Sequence, residues 1–275
     1  MTRRGFVMPV VVLLALVGGL VVGVVLTRAS QRAVITQAQL DAYRDAHREF
    51  GMKSIITSWI NYSQSTSVEE LTGGGGEGGK AFRTELPSGD LVEASFFPAQ
   101  AAVLIEPAAQ DGQGARIVRA MRDLDLPDTR PVGPLSVDAA RASQQTIASL
   151  LAAALQDDEL AADLASDIVR TRRDGEIARS ELDAVMNELG LEPDARRMAE
   201  RVLTAEPSLW RVRTVYTPRR LGRAQQEPVV YEGYVDLPDG RVESSTAISS
   251  NEVFLSWYRV DERRNTAPGA RGAPG

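Results

Sequence analysis

Apolar residues fill positions 6–26 without a single charge (FVMPVVVLLALVGGLVVGVVL), and Met-Thr-Arg-Arg-Gly stands before them. A run of about 20 apolar residues, rising roughly 1.5 Å each as a helix, crosses the roughly 30 Å hydrocarbon layer of a bilayer. The pattern therefore predicts a transmembrane segment over 6–26. A secretory signal peptide is the rival reading, but its apolar region is shorter and closes on a small-x-small cleavage site. Beyond the run the pattern changes period. Val34, Ile35, Tyr43, Phe50, Ile55, Trp59 and Ile60 recur at helical spacing among Gln37, Asp41, Arg44, Asp45 and Arg48, which predicts an amphipathic continuation over 27–63. No proline interrupts the chain between Pro9 and Pro87, so the two stretches read as one long helix.

The glycine-rich segment 72–80 ends that helix and reads as a loop, because ordering so many glycines loses the most backbone entropy. From residue 81 the period becomes that of strands. Residues 81–86 and 91–97 flank Pro87-Ser88-Gly89-Asp90 and read as a β-hairpin. Residues 100–106 add a strand or open a connection, 115–124 read as helix, and Pro127, Pro131 and Pro134 mark a boundary. The stretch 81–134 is thus the first part of a β core.

Residues 135–205 carry four short helical patterns and form an inserted helical domain. Ser136 is expected to cap the first and Asp157 or Asp158 the second. Ser180 with Asp183 approximates a capping box for the third, which Gly190 stops, and Pro193 suits the first turn of the fourth. Residues 206–262 return to β: 210–217, 229–235, 242–248 after the Leu237-Pro-Asp-Gly turn, and 254–260. The tail 263–275, rich in Ala, Pro, Gly and Arg, is expected to be disordered. The fold class is α+β: a long N-terminal transmembrane and amphipathic helix packed on an antiparallel sheet, with a small helical domain inserted.

Composition narrows the chemistry. The 275 residues include no cysteine and one histidine, and the formal net charge is −6. Thiolate metal sites, disulfides and cysteine nucleophiles are thereby excluded, and an acidic chain is a poor match for nucleic acid. His47 falls in a charged helical stretch and reads as a solvated helix residue, which leaves no partner for Ser-His-Asp chemistry. Lys80 is followed by Ala81, so the glycine-rich segment lacks the Gly-Lys-Ser/Thr of a phosphate loop. Asp123, Asp125 and Asp128 read as a solvated acidic loop. No catalytic residue, metal site or cofactor is expected, and the chain reads as a non-enzyme.

Two features resemble a known family. Arg3-Arg4-Gly5-Phe6, basic residues then glycine then phenylalanine opening an apolar helix, looks like the leader junction of type IV pilin-like proteins. The order of long helix, β part, helical block and returning strands is similar to the K-type minor pseudopilin of type II secretion, general secretion pathway protein K. Gly133-Pro-Leu-Ser-Val-Asp-Ala-Ala resembles that family's Leu-Asn-Val-Asn-Thr-Ala element, and Ser208-Leu-Trp-Arg-Val-Arg its aromatic-Arg-Val-Arg strand. The resemblance implies a leader over 1–5, cleaved between Gly5 and Phe6 by a prepilin peptidase that methylates the new amine, and a pilin-like sheet. It further implies a place at the pseudopilus tip, partnership with other minor pseudopilins, and a role in assembly and protein secretion. Lipid contact would run through 6–26, in the inner membrane, with the N-terminus cytoplasmic and the soluble part in the periplasm. Most pilins carry glutamate at the fifth mature position. Here it is Val10, a loss that K-type members share and that suits a subunit with none above it. The alternative is a single-pass, membrane-anchored periplasmic binding or scaffold protein in which Arg-Arg-Gly-Phe is coincidental. A helix-hairpin-helix DNA binder is disfavoured, because the turns at 155–159 and 189–194 are acidic or lack paired glycines.

Overall fold

The structure, a computed structural model, describes residues 7–62, 79–106, 112–124, 126, 128–172, 176–219, 227–237 and 253–260. These divide into two units, one ending at Lys53 and one beginning at Ser54. Helix α1 (Val7–Tyr62) is continuous over 56 residues, the single helix that the unbroken pattern predicts. In the first unit every residue from Val10 to Arg44 is exposed. Its polar half stabilises itself along one flank. Arg44 pairs with Asp41 at 3.4 Å, Arg48 with Asp45 at 2.8 Å and Lys53 with Glu49 at 3.0 Å, spacings worth about 0.2–0.5 kcal/mol each.

In the second unit, residues 54–62 end α1 against a sheet. Strands β1 (Gly79–Glu85), β2 (Leu91–Pro98), β7 (Leu209–Thr217), β8 (Val229–Asp236) and β9 (Phe254–Val260) lie in the order β1-β2-β7-β8-β9, each antiparallel to its neighbour. One face takes the alternate residues Ala94, Phe96, Trp210, Val212 and Val235, which cluster with Ile56 and Ile60 of α1. Ile56 and Ile60 are 0% and 1% exposed. Burying each contributes about 1.5–3 kcal/mol. Trp59 packs its ring 5.5 Å from Phe82 and 5.1 Å from Phe96. The α+β class read from the sequence holds, as does the hairpin about residues 87–90. There Gly89 adopts φ +81°, and Asp90 accepts hydrogen bonds from Ser88 Oγ, Tyr216 Oη and the Arg219 N–H at 2.6–2.7 Å.

The helical elements leave the sheet between β2 and β7, two strands that pair directly from Leu91↔Thr217 to Pro98↔Trp210. Helices α2 (Gly112–Arg122), α3 (Gln144–Leu155), α4 (Asp158–Thr171), α5 (Arg179–Glu188) and α6 (Pro193–Val202) share one apolar cluster that runs from Val103 to Leu203. Two parallel two-residue ladders tie its ends: β3 (Val103–Leu104) with β4 (Thr129–Arg130), and β5 (Val137–Asp138) with β6 (Leu203–Thr204).

Several local expectations are corrected. Ser136 caps no helix: it precedes β5, and Ser143 caps α3 instead, its Oγ accepting the Thr146 N–H at 3.0 Å. Ser180 lies inside α5, whose first turn is closed by Glu181 accepting the Ala178 N–H at 2.8 Å. The strand expected within 100–106 shrinks to β3. Asp157 caps α4, its carboxylate accepting the Leu160 N–H at 3.0 Å. Pro193 opens α6, and Gly190, at φ +65°, follows α5 as expected. The predicted strand 242–248, the turn at 238–241, residues 72–78 of the glycine-rich segment and the tail 263–275 lie outside the described residues.

Candidate functional site

The apolar half of α1 is the first candidate. Among the described residues it is the one helix long and apolar enough to cross a membrane. Leu13, Leu16 and Leu20 are each more than 60% exposed, an arrangement that water disfavours and hydrocarbon does not. Where the apolar run ends, Thr27 Oγ1 donates to the Gly23 carbonyl at 2.9 Å, so the hydroxyl is satisfied within the helix. Val10, within that run, is 43% exposed. Gly5 and Phe6 lie outside the described residues. His47 is exposed and sits edge-on to Tyr43, ring centroids 4.2 Å apart.

The second candidate is the seam where the chain leaves the sheet for the helices and returns. Gln100 is 2% exposed and holds both passages. Its Oε1 accepts the Ser208 and Leu209 N–H groups at 2.8 and 3.1 Å, and its Nε2 donates to Ser136 Oγ at 2.9 Å. Arg130, 1% exposed, has carbonyls rather than a carboxylate as hydrogen-bond partners: Nε donates to Ala102, Nη1 to Val132, and Nη2 to Pro134 and Ser136. Burial lowers its pKa to about 10, against the opposing pull of Tyr234 and Asp236. It therefore stays charged at neutral pH. Asp138, fully buried, accepts the Ala140 N–H at 2.9 Å and pairs with Arg141 at 2.9 Å, while Arg172 donates to the Ala140 and Ala142 carbonyls. The stretch Ser136-Val137-Asp138-Ala139-Ala140 is thus a structural knot. Sequence reasoning missed Gln100 and Arg130, since nothing local marks a glutamine or arginine whose partners lie elsewhere in the chain.

Asp123 and Asp128 are exposed, and Asp125 is outside the described residues. Among the described residues no group of three or more His, Asp or Glu side chains is placed to hold a metal.

Fold and site together define an α+β protein with a long N-terminal helix, apolar in its first half, and an antiparallel sheet interrupted by a helical insert. No known family model matches the chain, and no curated protein matches it. Among solved structures the chain is similar to a chain of the GspK-GspI-GspJ complex from the Type 2 Secretion System of enterotoxigenic Escherichia coli. The TM-score is 0.38 and the identity 11%, over 86% of this chain and 99% of that one.

Proposed function

We propose that this chain is a non-enzymatic minor pseudopilin of K type, a component of a type II secretion or related pilus-like apparatus. The observation that carries the reading is the way one helix is built and used. Residues 10–26 of it are uniformly apolar and exposed, and its last turns, through Ile56 and Ile60, form part of the core of an antiparallel sheet. A helix built in this way can hold a folded unit to a bilayer and lend its exposed face to neighbouring subunits.

On this reading residues 1–5 are a leader. A prepilin peptidase cuts between Gly5 and Phe6, and the amine of Phe6 is methylated. Residues 6–26 then cross the inner membrane with the N-terminus cytoplasmic, which Arg3 and Arg4 favour. The soluble part then works in the periplasm. Val10 offers no carboxylate to the amine of a subunit above, so the chain takes a tip position, where it primes assembly and supports secretion together with other minor pseudopilins. The helical insert supplies surface for those partners.

Affinity purification of the full chain from gently solubilised membranes of its own host tests the reading. Small pilin-like subunits in stoichiometric amount are the expected companions. Recovery of the chain without any of them contradicts it.

A further inference from the structure

Helix α1 supplies counter-charges to some of its cations and not to others. In its polar half each cation has a carboxylate one turn before it: Asp41 for Arg44, Asp45 for Arg48 and Glu49 for Lys53. Arg28 and Arg32 have none. No Asp or Glu precedes Asp41 anywhere in the chain, and among the described residues neither arginine forms an ion pair. Both are exposed. Four residues apart, they share one face of the helix, where like charges repel.

Their position identifies the missing anion. Arg28 and Arg32 are the first charges after the apolar run, which ends at Leu26. At a rise of 1.5 Å per residue they stand about 3 and 9 Å past it, the depth of the headgroup layer beside a hydrocarbon core of roughly 30 Å. Side chains on a helix lean toward its N-terminus, so both guanidinium groups tilt back to the bilayer surface. Below them the same side of the helix continues through Val25, Val21 and Val17, which are 54–59% exposed. That row is an apolar track for an acyl chain.

We propose that Arg28 and Arg32 bind the headgroup phosphate of an anionic phospholipid in the leaflet where α1 leaves the membrane. Guanidinium and phosphate pair through parallel, charge-assisted hydrogen bonds. A net-negative headgroup supplies the charge that Asp41, Asp45 and Glu49 supply farther along the helix, whereas a zwitterionic headgroup arrives with a cation of its own. The inference rests on the reading that residues 6–26 cross the membrane, and adds which lipid the helix selects at its exit.

Electron spin resonance of the full chain in phosphatidylcholine bilayers tests it, with trace spin-labelled phosphatidylglycerol or phosphatidylcholine reporting the relative association of each lipid with the helix. Phosphatidylglycerol should be preferred by at least about fivefold, the scale of one juxtamembrane arginine at an anionic surface. Arg28→Gln combined with Arg32→Gln should bring the two lipids to parity. Arg44→Gln combined with Arg48→Gln removes the same charge from the paired stretch and should leave the preference unchanged. Excess inorganic phosphate should not abolish it, because the acyl chain holds the headgroup in place. Equal association of the two lipids with the unaltered chain, an undiminished preference without Arg28 and Arg32, equal loss without Arg44 and Arg48, or displacement by inorganic phosphate overturns the proposal while leaving the membrane span intact. Absence of any motionally restricted lipid, of either kind, overturns the span and the inference with it.

Discussion

Gly133 shows how much one missing side chain decides. It sits at φ +108°, and a Cβ there would come within 2.7 Å of Leu209 Cδ2 and 2.8 Å of Arg130 Nη1. A strained backbone and displacement of a buried guanidinium combine, so Gly133→Ala should destabilise the protein by about 2–4 kcal/mol. Thermal unfolding followed by circular dichroism in detergent reads this as a drop of several degrees. Tyr234 gives a second test at this scale. Burial, then the nearby Glu232, raises its pKa above 10, against Arg211 and Arg130. Above pH 10 the unfolded chain releases this proton while the folded chain keeps it. The contribution is complete below pH 10 and is lost as pH climbs through the raised pKa. Burial raises the Tyr258 phenol as well, so alkaline titration at 295 nm should show a late phenolate component that Tyr234→Phe reduces without abolishing. An unchanged late component would refute that assignment.

Elements were legible where a signal is local. The alternation of β7, buried at Trp210, Val212, Thr214 and Tyr216, is visible in the sequence because one face of the strand meets the core. Asp157 and Pro193 carry their own capping chemistry and fall where it places them. Ser136 misled because Val137 and Asp138 pair with Leu203 and Thr204, remote in sequence, and a local capping pattern is blind to such a partner. Gln100 and Arg130 escaped for the same reason. The correction is measurable. Ser143→Ala removes the acceptor of the Thr146 N–H and should lower stability by about 1 kcal/mol. Loss of the Ser136 hydroxyl should leave the start of α3 intact, as amide hydrogen exchange at Thr146 and Ile147 would report.

For the whole molecule, the central feature is a helix that begins in an apolar stretch and ends in a protein core, beside a sheet whose adjacent strands β2 and β7 are separated in sequence by a helical insert. Hydrophobic pattern alone revealed the helix and the order of the parts. The pattern placed an insert at 135–205, and that the strands on either side of it, β2 and β7, pair directly became visible only in the fold. The proposed function turns on what happens at the start of that helix. Intact-protein and N-terminal peptide mass spectrometry of the membrane-bound chain, from cells containing a prepilin peptidase, reads it directly. The account predicts a mature chain that begins at N-methylated Phe6. A chain that keeps residues 1–5 would contradict it.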